Sequence, residues 1–348
     1  MPDPRFERVQ ATLREASGVE FTAAVARIEH RGRLVFERAY GSTRTDARMR
    51  PVYCDTRFDL ASLTKLFVST LALQAVASGN LSLDEPLGRL LPEWSRGRRR
   101  EVTARMLLAH NSGMNSGADY RAIRNENVEQ FALRSRTIAH PGERVLYSDL
   151  GFIALGVALE RAEARSLAAL AGRTFSGSLG FRPRAAARRE IPATEEDGWR
   201  GRVQGFVHDE KAFLMGGVAG HAGLFGTAAD VAALTEAYLG PLHGRHAKLL
   251  PERLVREAIS EQAGDPVLRR GLGWALRTSD ANSCGRYVSH DSFGHTGFVG
   301  TCVWADPARD VQGVLLTNAL YFGRNPPPNA GPALRTSFYE AMIEDLGA

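Results

Sequence analysis

The chain has 348 residues, 44% hydrophobic and 24% charged, with a formal net charge of +5; this is globular composition, sufficient for one large domain or two intimate ones. The positive charge does not point to nucleic acid, because acids and bases are mixed along the chain, and the basic runs Arg96 to Arg100 and Arg182 to Arg189 lack the interleaved aromatics of a stacking surface. Cys54, Cys284 and Cys302 show no pairing spacing, which argues against a disulfide framework, and no window holds the ~18 uninterrupted apolar residues of a membrane span.

The opening segment MPDPRFERVQATLREASG is polar and has no apolar stretch of the secretory kind, so a reducing, cytoplasmic setting is expected. Residues 4 to 17 read as a helix. "FTAAVARIEHRGRLVFERAYG" then alternates as two strands of a hairpin around His30-Arg31-Gly32. A helix is expected from Ser62 to Ser78, where Leu63, Leu66, Phe67, Leu71, Leu73 and Val76 recur near the 3.6-residue period. "GNLSLDEPLGRLLPEW" holds a glycine stop, a turn and a short helical piece, and "TARMLLAHNSG" a helix ending near Asn111. Helical patterns dominate from about 119 to 200, most clearly over Asp149 to Ala164. Strand signals return in "RYVSHD" and in "GTCVWADPARDVQGVLLTN", which turns at Asp306-Pro307, and a last helix runs from about Pro332 to Asp345. A loose loop is expected near Asn325 to Gly331. Strands, then helices, then strands and a helix imply a discontinuous α/β domain (1–78 and 205–348) with a mostly helical insertion (79–204).

Among more than forty basic residues only three are lysines, Lys65, Lys211 and Lys248, and Lys65 stands inside an apolar helical run three residues after Ser62. Positions i and i+3 share one helical face, and the head of a helix favours a forming anion. A serine hydroxyl is a poor nucleophile until a base takes its proton; an amine of lowered pKa can do so, and a guanidinium cannot. Tyr147, in "PGERVLYSDLGF", follows a Pro-Gly turn and precedes a helix that Ser148 or Asp149 can cap. His295-Thr296-Gly297, in "SFGHTGFVGTCVWAD", opens a strand whose small residues permit close approach of a ligand.

In this order and spacing the three elements resemble the beta-lactamase and penicillin-binding protein family of active-site serine hydrolases, nearest to class C beta-lactamases, DD-peptidases that also use His-Thr-Gly, and related esterases. "LLAHNSGM" and "GGVAGHAGLFGTAADVAAL" extend the resemblance over almost the whole chain. The resemblance implies a mixed, mainly antiparallel sheet flanked by helices, with the site in a cleft beside the helical insertion. It implies that Ser62 forms an acyl-enzyme, that Lys65 or Tyr147 deprotonates it, and that Tyr147 protonates the leaving group. The oxyanion would be held by the N–H groups of Ser62 and Phe298, and Asp149, His295, Thr296 and Gly297 would contact substrate. No cofactor or metal is implied, and the substrate would be a small ester, amide or beta-lactam, with neither nucleic acid nor membrane as partner.

Two departures qualify the resemblance. The usual lysine of the third motif is His295, which gives a weaker pull on a carboxylate when neutral. The third residue of the tyrosine motif is Asp149, whose carboxylate would pair with Lys65, raise its pKa and shift the base role toward Tyr147. Both lower the expectation of efficient beta-lactam hydrolysis and favour an esterase or D-amino-acid peptidase. The alternatives are a DD-carboxypeptidase, a class C-like beta-lactamase, and, in another class, a slowly acylating penicillin-binding sensor. No G-x-S-x-G elbow occurs, so His110 and His221 read as structural residues that bond loops, and His243-x-x-His246 in a polar turn is weak as a metal motif.

Overall fold

A computed structural model describes residues 6–117, 122–175, 177–246, 248–264, 269–280, 282–324 and 332–347, so the expected loose loop at 325–331 lies outside the described residues. Period-two alternation builds the centre of the fold. In the strand Ala23–His30, Ala23 and Val25 face one core while Ala24, Ala26 and Ile28 face another; Val311–Thr317 alternates likewise, with Val314 and Leu316 opposed to Val311 and Leu315. Such strands bury both faces, so the sheet must be covered on both sides. The helices Glu7–Ala16 and Pro332–Leu346 cover one face; Thr64–Ala77 and Ala228–Leu239 cover the other.

The sheet has six strands, all antiparallel, in the spatial order Arg33–Gly41, Ala23–His30, Val311–Thr317, Cys302–Asp306, Phe293–Thr296, Ala275–Leu276. The first pair is the expected hairpin, turning through Arg31 and Gly32, both at positive φ (53° and 69°), the geometry of a tight two-residue turn. The expected antiparallel sheet flanked by helices is therefore observed, with every pairing among these six strands antiparallel. Residues 79–204 contribute the helices Ala104–Leu108, Val128–Arg134, Asp149–Glu163 and Leu167–Thr174, with two-residue strand pieces at 180–181, 196–197 and 201–202. No helix among the described residues is long and apolar enough to cross a membrane.

Two expected elements differ. Ser62 is not inside the α-helix: it occupies a 3-10 turn, Ala61–Leu63, and the helix begins at Thr64 and ends at Ala77. That helix is also buried nearly all round rather than on one stripe, because the helices Asp149–Glu163 and Leu167–Thr174 pack against it within the larger core. The segment Arg286 to Asp291 forms no strand; the strand of this region is Phe293–Thr296 instead, paired with Cys302–Asp306 on one side and Ala275–Leu276 on the other. The backbone N–H and hydroxyl of Ser289 both bond the buried Asp306 carboxylate, at 3.0 and 2.6 Å, which draws this stretch into a turn and removes it from a ladder.

Asn318 ties the sheet to its surroundings. Its buried amide oxygen accepts the N–H groups of Thr22 and Ala23 at 3.1 and 2.9 Å, while its nitrogen donates to Thr22 Oγ1 and to Ala193 O at 2.8 and 2.7 Å. Replacing it by alanine leaves several buried polar groups unpaired, and Asn318→Ala is expected to lose about 3 kcal/mol of stability. Urea unfolding checks this: a midpoint unchanged from wild type contradicts the bonding role.

Candidate active site

Ser62 is aimed by an unusual turn. Ala61 adopts φ +46°, a left-handed conformation that costs a non-glycine residue energy, and the cost is met by the buried Asp59, whose Oδ1 accepts the Ala61 N–H at 2.8 Å. Leu60 on the other side is fixed through its N–H to Leu224 O at 2.9 Å and its carbonyl to Thr301 Oγ1 at 3.2 Å. Thr301 follows the His-Thr-Gly strand closely, so strand and serine turn abut. A Cβ on Gly297 would stand 2.1 Å from Thr301 Oγ1 and 2.9 Å from Leu60 O, which is why that position is glycine.

One turn beyond Ser62, Lys65 is fully buried, and its ammonium has three acceptors for three N–H bonds: Ser62 Oγ at 3.1 Å, Asp149 Oδ1 at 2.9 Å and His221 O at 3.2 Å. It also lies 4.8 Å from the centre of the Tyr147 ring. Burial works against the charge, but Asp149 and Tyr147 outweigh it and hold the pKa of Lys65 above the ordinary lysine value. The Asp149 carboxyl is correspondingly held below its ordinary range: burial opposes ionisation, and Lys65 overcomes it. Lys65 is therefore an ammonium at rest, the situation that the aspartate in the third position of the tyrosine motif implied.

Ser148 caps the helix Asp149–Glu163 by accepting the Gly151 N–H at 2.9 Å, and its own N–H donates to His110 Nδ1 at 3.1 Å. His110 is buried, lies under the Tyr147 ring with centroids 4.5 Å apart, and is kept neutral by burial and by nearby Arg270 and Lys65. It fixes the loop that carries the tyrosine and does not line the cavity. The glycine-rich segment comes equally close: a Cβ on Gly220 would lie 2.0 Å from Phe152 O, and that approach delivers His221 to the Asp149 side of the lysine.

Ser62, Tyr147, His295, Thr296, Gly297 and Phe298 line one cavity of about 530 Å³. Asp149 does not line it; its carboxylate lies behind Lys65 and meets a second ammonium, Lys211 Nζ, at 3.3 Å from Oδ2. His295 is buried, donates through Nδ1 to Thr296 O at 2.7 Å, and has its pKa pushed down to about 3 by burial and then by Arg270 and Lys65. It brings no charge to the cleft. The charge comes from residues the motifs did not reveal, Arg270, Arg324 and Arg335, whose side chains line the same cavity; Arg335 also donates to Gly297 O at 2.7 Å. Their sequence signal was absent because arginines abound in this chain and only the folded arrangement selects three.

Lys211 and Asp209 were likewise overlooked, although Lys211 is one of just three lysines. Asp209 accepts from His221 Nε2 at 2.7 Å and lies 3.8 Å from Lys211 Nζ. Asp149, Asp209 and His221 present ligand atoms within 4.8 Å of one another, a spacing suited to a cation. The ammonium groups of Lys65 and Lys211 already face these carboxylates and supply the opposing charge, so the donor set does not fit a metal centre.

A family model described as Beta-lactamase matches residues 9–334. The chain is 28% identical to an N-acetylmuramyl-L-alanine amidase of Bacillus subtilis (strain 168), with 97% of this chain and 89% of that protein aligned. It is 30% identical to the esterase EstB of Burkholderia gladioli, over 91% of this chain and 90% of the esterase. Among solved structures, EstCE1, a hydrolase with promiscuous acyltransferase activity, superposes with a TM-score of 0.77 over 97% of this chain and 98% of its own at 20% identity, a likeness of fold.

The low pKa of His295 has a consequence for stability. The unfolded chain binds a proton at this ring near pH 6.5 and the folded protein only near 3, so the unfolded state is favoured progressively as pH falls through that window. His295→Asn is expected to reduce the stability lost between pH 7 and pH 4.5 by about 2 kcal/mol. Urea titrations at both pH values measure it, and an identical loss in the two proteins contradicts the buried neutral ring.

Proposed function

The chain belongs to the beta-lactamase family, and from that premise we propose that it is a serine hydrolase in which Ser62, Lys65 and Tyr147 carry an acyl-enzyme reaction on a small ester or amide. The observation that carries this reading is the Lys65 ammonium at 3.1 Å from Ser62 Oγ, with Ser62 and Tyr147 on the wall of one cavity. Of the residues that line this cavity, Tyr147 comes from the stretch 79–204 and the others from 1–78 and 205–348.

Ser62 Oγ attacks the carbonyl carbon, and Tyr147, acting as the base beside the Lys65 ammonium, takes its proton. The carbonyl electron pair moves onto oxygen, which the N–H groups of Ser62 and Phe298 receive. The C–O or C–N bond then breaks, Tyr147 returns the proton to the leaving group, and the acyl group stays on Ser62. Water, deprotonated by Tyr147, attacks the acyl carbon; the C–Oγ bond breaks, Tyr147 returns the proton to Ser62 Oγ, and the acid leaves. Lys65 keeps its charge throughout because Asp149 holds it, so its work is to stabilise the phenolate and orient Ser62. The amidase and esterase names of the relatives suit this range of acyl donors. Guanidinium groups of Arg270, Arg324 and Arg335 on the cavity wall, beside a neutral His295, favour a substrate that bears a carboxylate, such as a D-amino-acid peptide or its ester.

A chromogenic short-chain ester, a chromogenic cephalosporin and a fluorescent penicillin sort the outcomes. Turnover of the ester is expected, with a mass adduct on the Ser62 peptide. Ser62→Ala should lower turnover by at least about 10³-fold with the melting temperature unchanged, and Lys65→Arg should be nearly as damaging. Normal turnover by Ser62→Ala would remove the assignment, and a stable penicillin label without turnover would favour a sensor.

A further inference from the structure

We infer that Lys211 is a positioning residue for this chemistry: by holding the second oxygen of Asp149 it fixes the carboxylate against Lys65 and places a second cation in the buried cluster beside Tyr147. The inference rests on the reading of Ser62, Lys65 and Tyr147 given above, and it makes His208-Asp209-Glu210-Lys211 a fourth functional segment of the site.

Each residue of that segment reaches the site. The His208 N–H donates to Asp59 Oδ2 at 2.6 Å, on the carboxylate that also holds the serine turn through Ala61. Asp209 caps the helix Glu210–Leu214 through the Ala212 N–H at 2.8 Å and receives His221 Nε2. Glu210 pairs with Arg324 on the cavity wall. Lys211 reaches Asp149, and the path closes on itself: Lys65 to Asp149, Asp149 to Lys211, Lys211 to Asp209, Asp209 to His221, and the His221 carbonyl back to Lys65.

A purely structural role accounts poorly for this arrangement. Buried ion pairs add little net stability, since desolvation offsets their attraction, and a chain that uses arginine almost everywhere places two of its three lysines on the two oxygens of one carboxylate. The two ammonium and two carboxylate groups balance. Removing Lys211 takes one positive charge from a cluster that also holds the His221 ring on Asp209 and Glu210 beside Lys211, so Lys65 holds its proton more firmly and one cation fewer acts on the phenol oxygen of Tyr147. The other groups facing the cluster are His110 beneath the phenol and His295 across it, both neutral, with Arg270 lying 5.5 Å from the centre of the Tyr147 ring. None of these replaces Lys211 on Asp149.

The test is the pH profile of kcat/KM for the chromogenic ester. Lys211→Met is expected to move the ascending limb about one pH unit to the alkaline side, with activity recovering at high pH, and Lys211→Arg to restore the limb. Asp209→Asn removes a negative charge and should move the limb the opposite way, which keeps the test decisive if Lys211→Met fails to fold. A loss uniform at all pH values, or shifts of the same sign in both variants, overturns the inference. The 15Nζ signal of Lys65, assignable because only three lysines exist, reports independently of turnover: its ammonium should persist to higher pH in Lys211→Met. That change in a protein that hydrolyses no ester would uphold the charge coupling of Lys211 to Lys65 through Asp149 but remove the functional reading and, with it, the positioning role; its absence overturns the inference whatever the activity.

Discussion

The interaction on which the rest of the structure depends is the burial of one ammonium group. Lys65 is removed wholly from water, and an ammonium there is tolerable only when every N–H has an acceptor and a counter-charge is near. One of its three acceptors is in the adjoining serine turn, and the other two come from distant parts of the chain: the head of the helix Asp149–Glu163 and the carbonyl of the glycine-rich segment at His221. Satisfying that group therefore draws the helical insertion and the second half of the chain onto the serine helix, and the cleft forms where they meet.

The same demand accounts for how charge is divided in the site. Positive charge close to the nucleophile is matched inside the protein by Asp149 and Asp209, so the floor of the cleft is balanced. The walls are not treated alike: His295 is too deeply buried to ionise near neutrality, and Arg270, Arg324 and Arg335 from other segments line the cavity together with Glu20, Arg324 being paired with Glu195 and Glu210. Under the proposed function, recognition of an anionic group and activation of the serine fall to different residues, and the Tyr147 ring lies between Lys65 and Arg270.

Much of the architecture was legible where a pattern is local. The hairpin of Ala23–His30 with Arg33–Gly41, the helix Asp149–Glu163, the paired strands on either side of Asp306-Pro307 and the closing helix all express a period of 2 or 3.6 that neighbours in sequence are enough to set. Expectation failed where a side chain found a distant partner. Ser289 bonds Asp306 and turns a stretch that alternates like a strand, and Ser62 leaves the helix for a 3-10 turn because Asp59 and Thr301 grip the residues before it. Arg270 and Lys211 carried no local signal at all.

The sequence by itself determined which reactive groups exist and how the nearest of them stand: a hydroxyl and an amine at i and i+3, a tyrosine ahead of a helix, and a small-residue strand. It also placed an aspartate beside that tyrosine, from which the resemblance led to the expectation of a pairing with the amine. Only the tertiary structure decided what surrounds them, including the second cation on Asp149 and the arginine-lined wall. The physical reason is separation along the chain: Lys65 and Asp149 are 84 residues apart, and Lys65 and the His221 carbonyl 156. Electrostatic fields act over distances in space, and folding alone turns such separations into ångströms.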